Sequence, residues 1–211
     1  MSRPAVPKAN TEALLREGTP VIHRLIYAMG PSGAGKDSLL EWLMAHLPPP
    51  APVHLARRTI TRPVLAQGEQ HEAVDLPTFQ RLHRAGAFGF SWQANDMHYG
   101  VRRSELVPRQ AGGWVIVNGS RAHLAEAVRS HPALTVLHIT ASVETLRQRL
   151  LARGREGREA IAARLQRVVE FRIPPQHRAI EIRNDGTLEA AGAALVEALQ
   201  QLEQWPERGP S

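Results

Sequence analysis

Gly30-Pro31-Ser32-Gly33-Ala34-Gly35-Lys36-Asp37-Ser38 lies between a short apolar run, Leu25–Met29, and a stretch whose apolar residues, Leu39, Leu40, Leu43, Met44 and Leu47, fall on one helical stripe. The spacing G-x-x-x-x-G-K, behind a strand and at the start of a helix, is that of a phosphate-binding P-loop. Its glycines let successive backbone N–H groups turn inward, and the helix N-terminus adds positive potential. Lys36 is then placed to reach the β- and γ-phosphates of a nucleotide. The only other lysine is Lys8, so a basic chain has kept its one lysine outside the N-terminal stretch at this position.

The residue after the loop lysine is ordinarily Ser or Thr, whose hydroxyl ligates Mg²⁺. Here it is Asp37, followed by Ser38. A carboxylate is a hard oxygen donor suited to Mg²⁺ and is favoured at a helix N-terminus. Asp37 is therefore expected to take the metal role, directly or through water; the plainer alternative is a favourable helix-terminal charge. A later strand ends in Asn118, where many P-loop enzymes carry an acidic residue, which fits a carboxylate having moved to position 37.

The remaining pattern is strand, helix, strand, insert, strand, helix, strand, helix pair, strand, helix. The helix that begins at Lys36 stops at Pro48–Pro50. Short strands are expected at Val53–Ala56, Val115–Val117, Leu134–Ile139 and Ala179–Ile182. Helices are expected at Pro77–Ala85, from the third strand through about Val128, from an N-cap at Ser142 to Arg153, over about 159–171, and over about 188–202. Residues 57–75 read as polar and 87–110 as irregular and aromatic. Apolar strands separated by helices predict an α/β fold, a mostly parallel sheet sandwiched by helices. Residues 1–20 read as a loose extension, 21–203 as one domain with an insert over about 57–110 and an arginine-rich segment over about 147–167, and 204–211 as a tail.

Composition narrows the chemistry. With no cysteine among 211 residues, thiolate catalysis and Cys-ligated zinc or iron–sulfur sites are excluded. No histidine pair has H-E-x-x-H or similar spacing, which removes a zinc site. The longest apolar stretches fall far short of the ~20 residues of a membrane helix, and nothing at the N-terminus resembles a signal peptide. The chain is expected to be soluble and cytoplasmic, with no membrane partner. Basic residues number 26 against 20 acidic, a net +6. Seven arginines and two glutamates between Arg147 and Arg167 place most of that excess in one segment. This suits one local anionic target. No stacking aromatics interleave with these arginines, so a nucleic-acid partner is not expected.

Beyond the loop, Arg58-Thr59-Ile60-Thr61-Arg62-Pro63, Gly68-Glu69 and His98-Tyr99-Gly100 occur in the order seen in guanylate kinases, which the chain resembles from about 24 to 203. The segment Leu146–Arg167 resembles that family's arginine-bearing lid, and Ile182-x-Asn184-Asp185-Gly186 its adenine-side turn. The departures lie in the acceptor site. A second arginine three residues after Arg62 is replaced by Leu65, the loop after Gly68-Glu69 is short, the guanine-reading Ser or Thr is Val101, and the guanine-reading Glu corresponds to Gln93. GMP is therefore a poor candidate.

Gly35-Lys36-Asp37-Ser38, Gly68-Glu69-Gln70-His71 and Val117-Asn118-Gly119-Ser120-Arg121-Ala122-His123 are similar to a narrower family, the ribose 1,5-bisphosphate phosphokinases of phosphonate degradation. The resemblance implies ATP as phosphoryl donor, Mg²⁺ as cofactor, and a phosphorylated sugar as partner, with 5-phosphoribosyl diphosphate as product. Lys36 and the lid arginines Arg149, Arg153 and Arg164 would carry catalysis, with Arg147, Arg155 and Arg167 in reserve. Gly30 to Ser38, Asn184 and Asp185 would hold the nucleotide. Arg58 and Arg62 would clamp the acceptor. His71, Glu72, Gln93, Asn95, His98, Tyr99, Asn118 and Arg121 are candidates for the ribose hydroxyls or second phosphate. A nucleoside monophosphate kinase and a non-catalytic guanylate-kinase-like binding module remain the alternative readings.

Overall fold

A computed structural model describes residues 24–63, 71–94, 96–154, 157–169, 171–174 and 177–206. The expected N-terminal extension, residues 207–211, Leu65, Gly68-Glu69-Gln70, Asn95 and Arg155 lie outside them, as does the side chain of Arg167.

The apolar runs form the expected parallel sheet. It is built from β1 (Leu25–Met29), β2 (Val53–Leu55), β7 (Trp114–Asn118), β8 (Thr135–Thr140) and β9 (Ala179–Arg183), in the order β2-β7-β1-β8-β9. β1 is central, pairing with β7 and β8 in parallel register, Ile26 opposite Ile116 and Thr135. Every residue of β1 and β7 is buried, which is why both read as unbroken apolar runs rather than as alternation. One face packs on α1 (Lys36–His46) and α6 (Leu188–Gln200) through Leu39, Leu43, Leu195 and Leu199. Trp42, expected in the core, packs against the same cluster. The other face carries Tyr27, Val117, Leu124 and Val136. Trp114 and Trp205, unread in the sequence, meet at 5.2 Å, and the Trp114 indole donates to the Gln204 carbonyl.

Helix boundaries follow their caps. The Ser142 hydroxyl accepts from the Thr145 N–H at the start of α4 (Val143–Arg153). Asp75 does the same for α2 (Leu76–Arg84), which carries Pro77 in its first turn. α3 spans Leu124–Ser130 and α5 spans Arg158–Val169. Among the described residues no helix is long and apolar enough to cross a membrane.

The insert is more ordered than its sequence suggested. The stretches read as polar and irregular contain β3 (Arg58–Ile60), β4 (Glu72–Ala73), β5 (Phe88–Ala94) and β6 (Met97–Arg102), joined as a second sheet in the order β4-β3-β6-β5. β5 and β6 form an antiparallel hairpin with a register shift between Phe88 and Phe90. That shift breaks the period-two alternation by which a strand is recognised, and β3 and β4 are too short to show any. Phe90, Trp92 and Val101 face the main sheet. Phe88 turns to the opposite face and stacks on Phe79 of α2, 4.8 Å between centroids. On that outer face Glu72 accepts from the Thr59 hydroxyl at 2.7 Å and from both Nε and Nη2 of Arg102.

Candidate active site

The phosphate loop takes the shape its glycines allow. Gly33 and Gly35 lie at φ 91° and 79°, in the left-handed region that other residues avoid. A Cβ on Gly35 would also stand 2.5 Å from Asn184 Nδ2. The loop is braced from two sides. The Asn184 amide donates to the Ala34 carbonyl at 2.8 Å, and the Arg149 guanidinium to the Gly33 carbonyl at 3.3 Å. Asp185, the neighbour of Asn184, accepts from the Ser142 N–H at 2.6 Å. That bond, aided by Arg183, holds its carboxyl well below the usual range. Asn184 and Asp185 thus hold the loop and the β8–α4 turn in place.

Lys36 makes one long bond, Nζ to the Gly30 carbonyl at 3.4 Å. Burial pushes its pKa down. Asp37 opposes that shift, and the positive charges of Arg58, Arg121 and Arg153 add to it. These arginines all bear on one ammonium, and among the described residues Asp37 is the carboxylate that opposes them there: the field is built for an anion.

Asp37 is the meeting point of loop and insert. Its Oδ1 accepts from Arg58 Nη2 at 3.0 Å and from Asn118 Nδ2 at 2.5 Å. The Asn118 carbonyl also receives a long bond, 3.5 Å, from Arg58 Nη1. Asn118 is 6% exposed and its Oδ1 is buried without a partner. A carboxylate beside an orphaned amide oxygen, at the first turn of α1, suits a hard divalent cation that takes its other ligands from phosphate and water. Among the described residues no cluster of three His, Asp or Glu exists for a cation bound by protein alone.

The other expected residues divide. Arg121, after β7, stacks over Phe171, 5.2 Å from its ring. Of the arginines expected in a lid, Arg149 reaches the loop and Arg153 is close enough to act on Lys36. Arg147 pairs with Glu144 on an exposed helix face, and Arg164 lies on α5. α4 itself is core, since Leu146 and Leu150 are buried and lie against Gly33. In the insert, buried His71 bonds the Arg62 carbonyl at 2.9 Å.

The pleat separates the rest. Arg58, Trp92 and Tyr99 belong to the face of the insert directed at the main sheet. Glu72, Gln93 and His98 do not. Glu72 is engaged by Arg102 and Thr59, and Arg102 holds its carboxyl below the usual range. Gln93 and His98 line a groove of about 500 Å³ with Ser91, Trp92 and α2 residues that include Phe79 and His83. Adjacent side chains on a strand point to opposite faces, so Gln93 lies on the face opposite Arg58 and Tyr99, and Trp92 on theirs. The register shift hid that parity in the sequence.

The loop after β7 is pinned from below. The Tyr27 hydroxyl donates to the Ser120 carbonyl and accepts from the Ser120 N–H, and burial pushes its pKa up. A Cβ on Gly119 would lie 2.1 Å from Cζ of Tyr27, a ring with no exposed surface. Gly119→Ala is expected to cost about 2 kcal/mol, read as a lower midpoint in denaturant at unchanged slope. An unchanged midpoint would contradict this packing.

No family model matches the chain. It is 44% identical over 179 residues to ribose 1,5-bisphosphate phosphokinase PhnN of Pseudomonas paraeruginosa, covering 82% of this chain and 93% of that protein. It is 39% identical to the PhnN of Agrobacterium fabrum, covering 84% and 96%. With the PhnN of Janthinobacterium sp. it shares 43% identity over 88% of its own length, but spans only 41% of that protein. It spans 25% of a bifunctional ribose 1,5-bisphosphokinase-thymidine phosphorylase of Azorhizobium caulinodans. Among solved structures, guanylate kinase from Anaplasma phagocytophilum superposes with a TM-score of 0.55 at 18% identity, over 85% of this chain and 87% of that one. That likeness concerns the fold.

Proposed function

This chain belongs to the ribose 1,5-bisphosphate phosphokinase family, and we propose that it catalyses the reaction those proteins are named for. An oxygen of the sugar's 1-phosphate attacks the γ-phosphorus of ATP. The bond from that phosphorus to the β–γ bridging oxygen breaks, ADP leaves, and 5-phosphoribosyl 1-diphosphate forms. The nucleophile is an ionised phosphate, so no general base is required, and catalysis reduces to positioning and charge neutralisation.

The observation that carries this reading is the contact of Arg58 with Asp37. It brings an acceptor-side guanidinium to the first turn of the helix that the phosphate loop opens. Lys36 and the loop N–H groups hold the donor phosphates. Arg58 and Arg62 grip the acceptor, since planar guanidinium groups bind phosphate oxygens in pairs. Arg149 and Arg153, from α4, and Arg164, from α5, neutralise the transferred group and keep water from it. Asp37 and the Asn118 amide oxygen would hold Mg²⁺, which would supply further charge neutralisation at the donor phosphates.

With ATP labelled in its γ-phosphoryl group, the label is expected in the outer phosphate of the sugar diphosphate. Label found only in inorganic phosphate would overturn the reading. For the metal role, Asp37→Asn is expected to weaken ATP binding in the presence of Mg²⁺ about tenfold in calorimetry, with little change in its absence. The same loss in both conditions would assign Asp37 to the helix terminus and Arg58 alone.

A further inference from the structure

Trp92 lies nearly parallel to Tyr99, 5.4 Å between centroids at 3°, and stacks on His123 at 5.6 Å and 25°. Trp92 and Tyr99 come from the β5–β6 hairpin, His123 from the loop after β7 that Tyr27 pins. The three rings therefore tie the insert to the main sheet, on the face of the insert that also carries Arg58. Their flat faces are used on one another. Their polar tips are not: among the described residues the Trp92 indole N–H, the Tyr99 hydroxyl and the His123 ring nitrogens have no hydrogen-bond partner. All three residues are half-buried, and burial pushes the His123 pKa down against the pull of Glu126. A neutral imidazole can both donate and accept, as a hydroxyl can, while an indole only donates.

Donors fixed by stacking lose little freedom when they bind, and they suit a ligand rich in oxygen. The neighbouring side chains on this face, Phe90 and Val101, are buried and apolar, and among the described residues this hairpin face carries no carboxylate to accept from the amino and ring N–H groups of a purine. We propose that Trp92, Tyr99 and His123 are the acceptor-selecting wall of the site, donating to the hydroxyls of a pentose and occupying the space a nucleobase would need. This rests on the functional reading above and names what sets its acceptor.

Trp92→Phe keeps a ring and removes the N–H. It is expected to raise KM for ribose 1,5-bisphosphate about tenfold, leaving KM for ATP and kcat within about twofold. Tyr99→Phe is expected to act alike. Trp92→Ala opens the wall and is expected to raise the ratio of kcat/KM for GMP over that for the sugar more than tenfold. If the Ala variant does not fold, the two Phe variants still decide. Wild-type protein active on the sugar, with KM unchanged in both Phe variants, would overturn this proposal alone. Wild-type protein inactive on the sugar would overturn the functional reading and this proposal together.

Discussion

Lys36→Met is expected to lower kcat about a thousandfold or more while leaving the thermal midpoint unchanged or slightly raised. The two halves of this outcome have one cause. The Lys36 side chain is half-buried, with a single 3.4 Å bond to the Gly30 carbonyl, and desolvation holds its pKa below the ordinary lysine value. A lysine whose folded pKa is lowered binds its proton less well in the native state than in the unfolded one, so at neutral pH its charge opposes folding. Methionine keeps the stem and removes that opposition. In the proposed complex the same desolvation would make the charge effective on the donor phosphates. An ADP-release assay beside a thermal melt measures both. A large fall in midpoint would mean that Lys36 holds the loop together rather than its ligand.

Acceptor selectivity is the second large effect. On the proposed wall the described residues offer ring tips and guanidinium groups but no carboxylate to accept from the amino and ring N–H groups of guanine. Val101, on that wall, has no exposed surface. A guanine entering there would leave its N–H groups desolvated without a carboxylate to receive them, a loss of the size that gives discrimination of about 10⁴ between substrates differing by one recognised group. Selectivity of ribose 1,5-bisphosphate over GMP of that order is therefore expected in kcat/KM.

How much of this was legible in the sequence depends on the period of each element. β1 and Trp114–Val117 of β7 are continuous apolar runs, the other three strands of the main sheet are short runs built mainly on Val, Leu and Ile, and helices begin at caps such as Ser142, so both could be read directly. The phosphate loop was legible because its spacing is fixed by the ligand. The insert was not. Its strands are short, the shift between Phe88 and Phe90 reverses parity partway along β5, and only the folded hairpin reveals that Trp92 rather than Gln93 shares a face with Arg58. Glu72 looked like a ligand because nothing in the sequence links it to Thr59 and Arg102, thirteen and thirty positions away. Through the family resemblance Asn184 and Asp185 were legible only as residues of an adenine-side turn that would hold the nucleotide. That they brace the Ala34 carbonyl and the Ser142 N–H is a matter of three-dimensional placement.

The most direct measurement is ADP release by the purified protein with ATP and Mg²⁺, the acceptor being ribose 1,5-bisphosphate in one reaction and GMP in the other. Rapid ADP release with the doubly phosphorylated pentose and almost none with GMP is the predicted result. Brisk formation of GDP, with the pentose left unconverted, would contradict it.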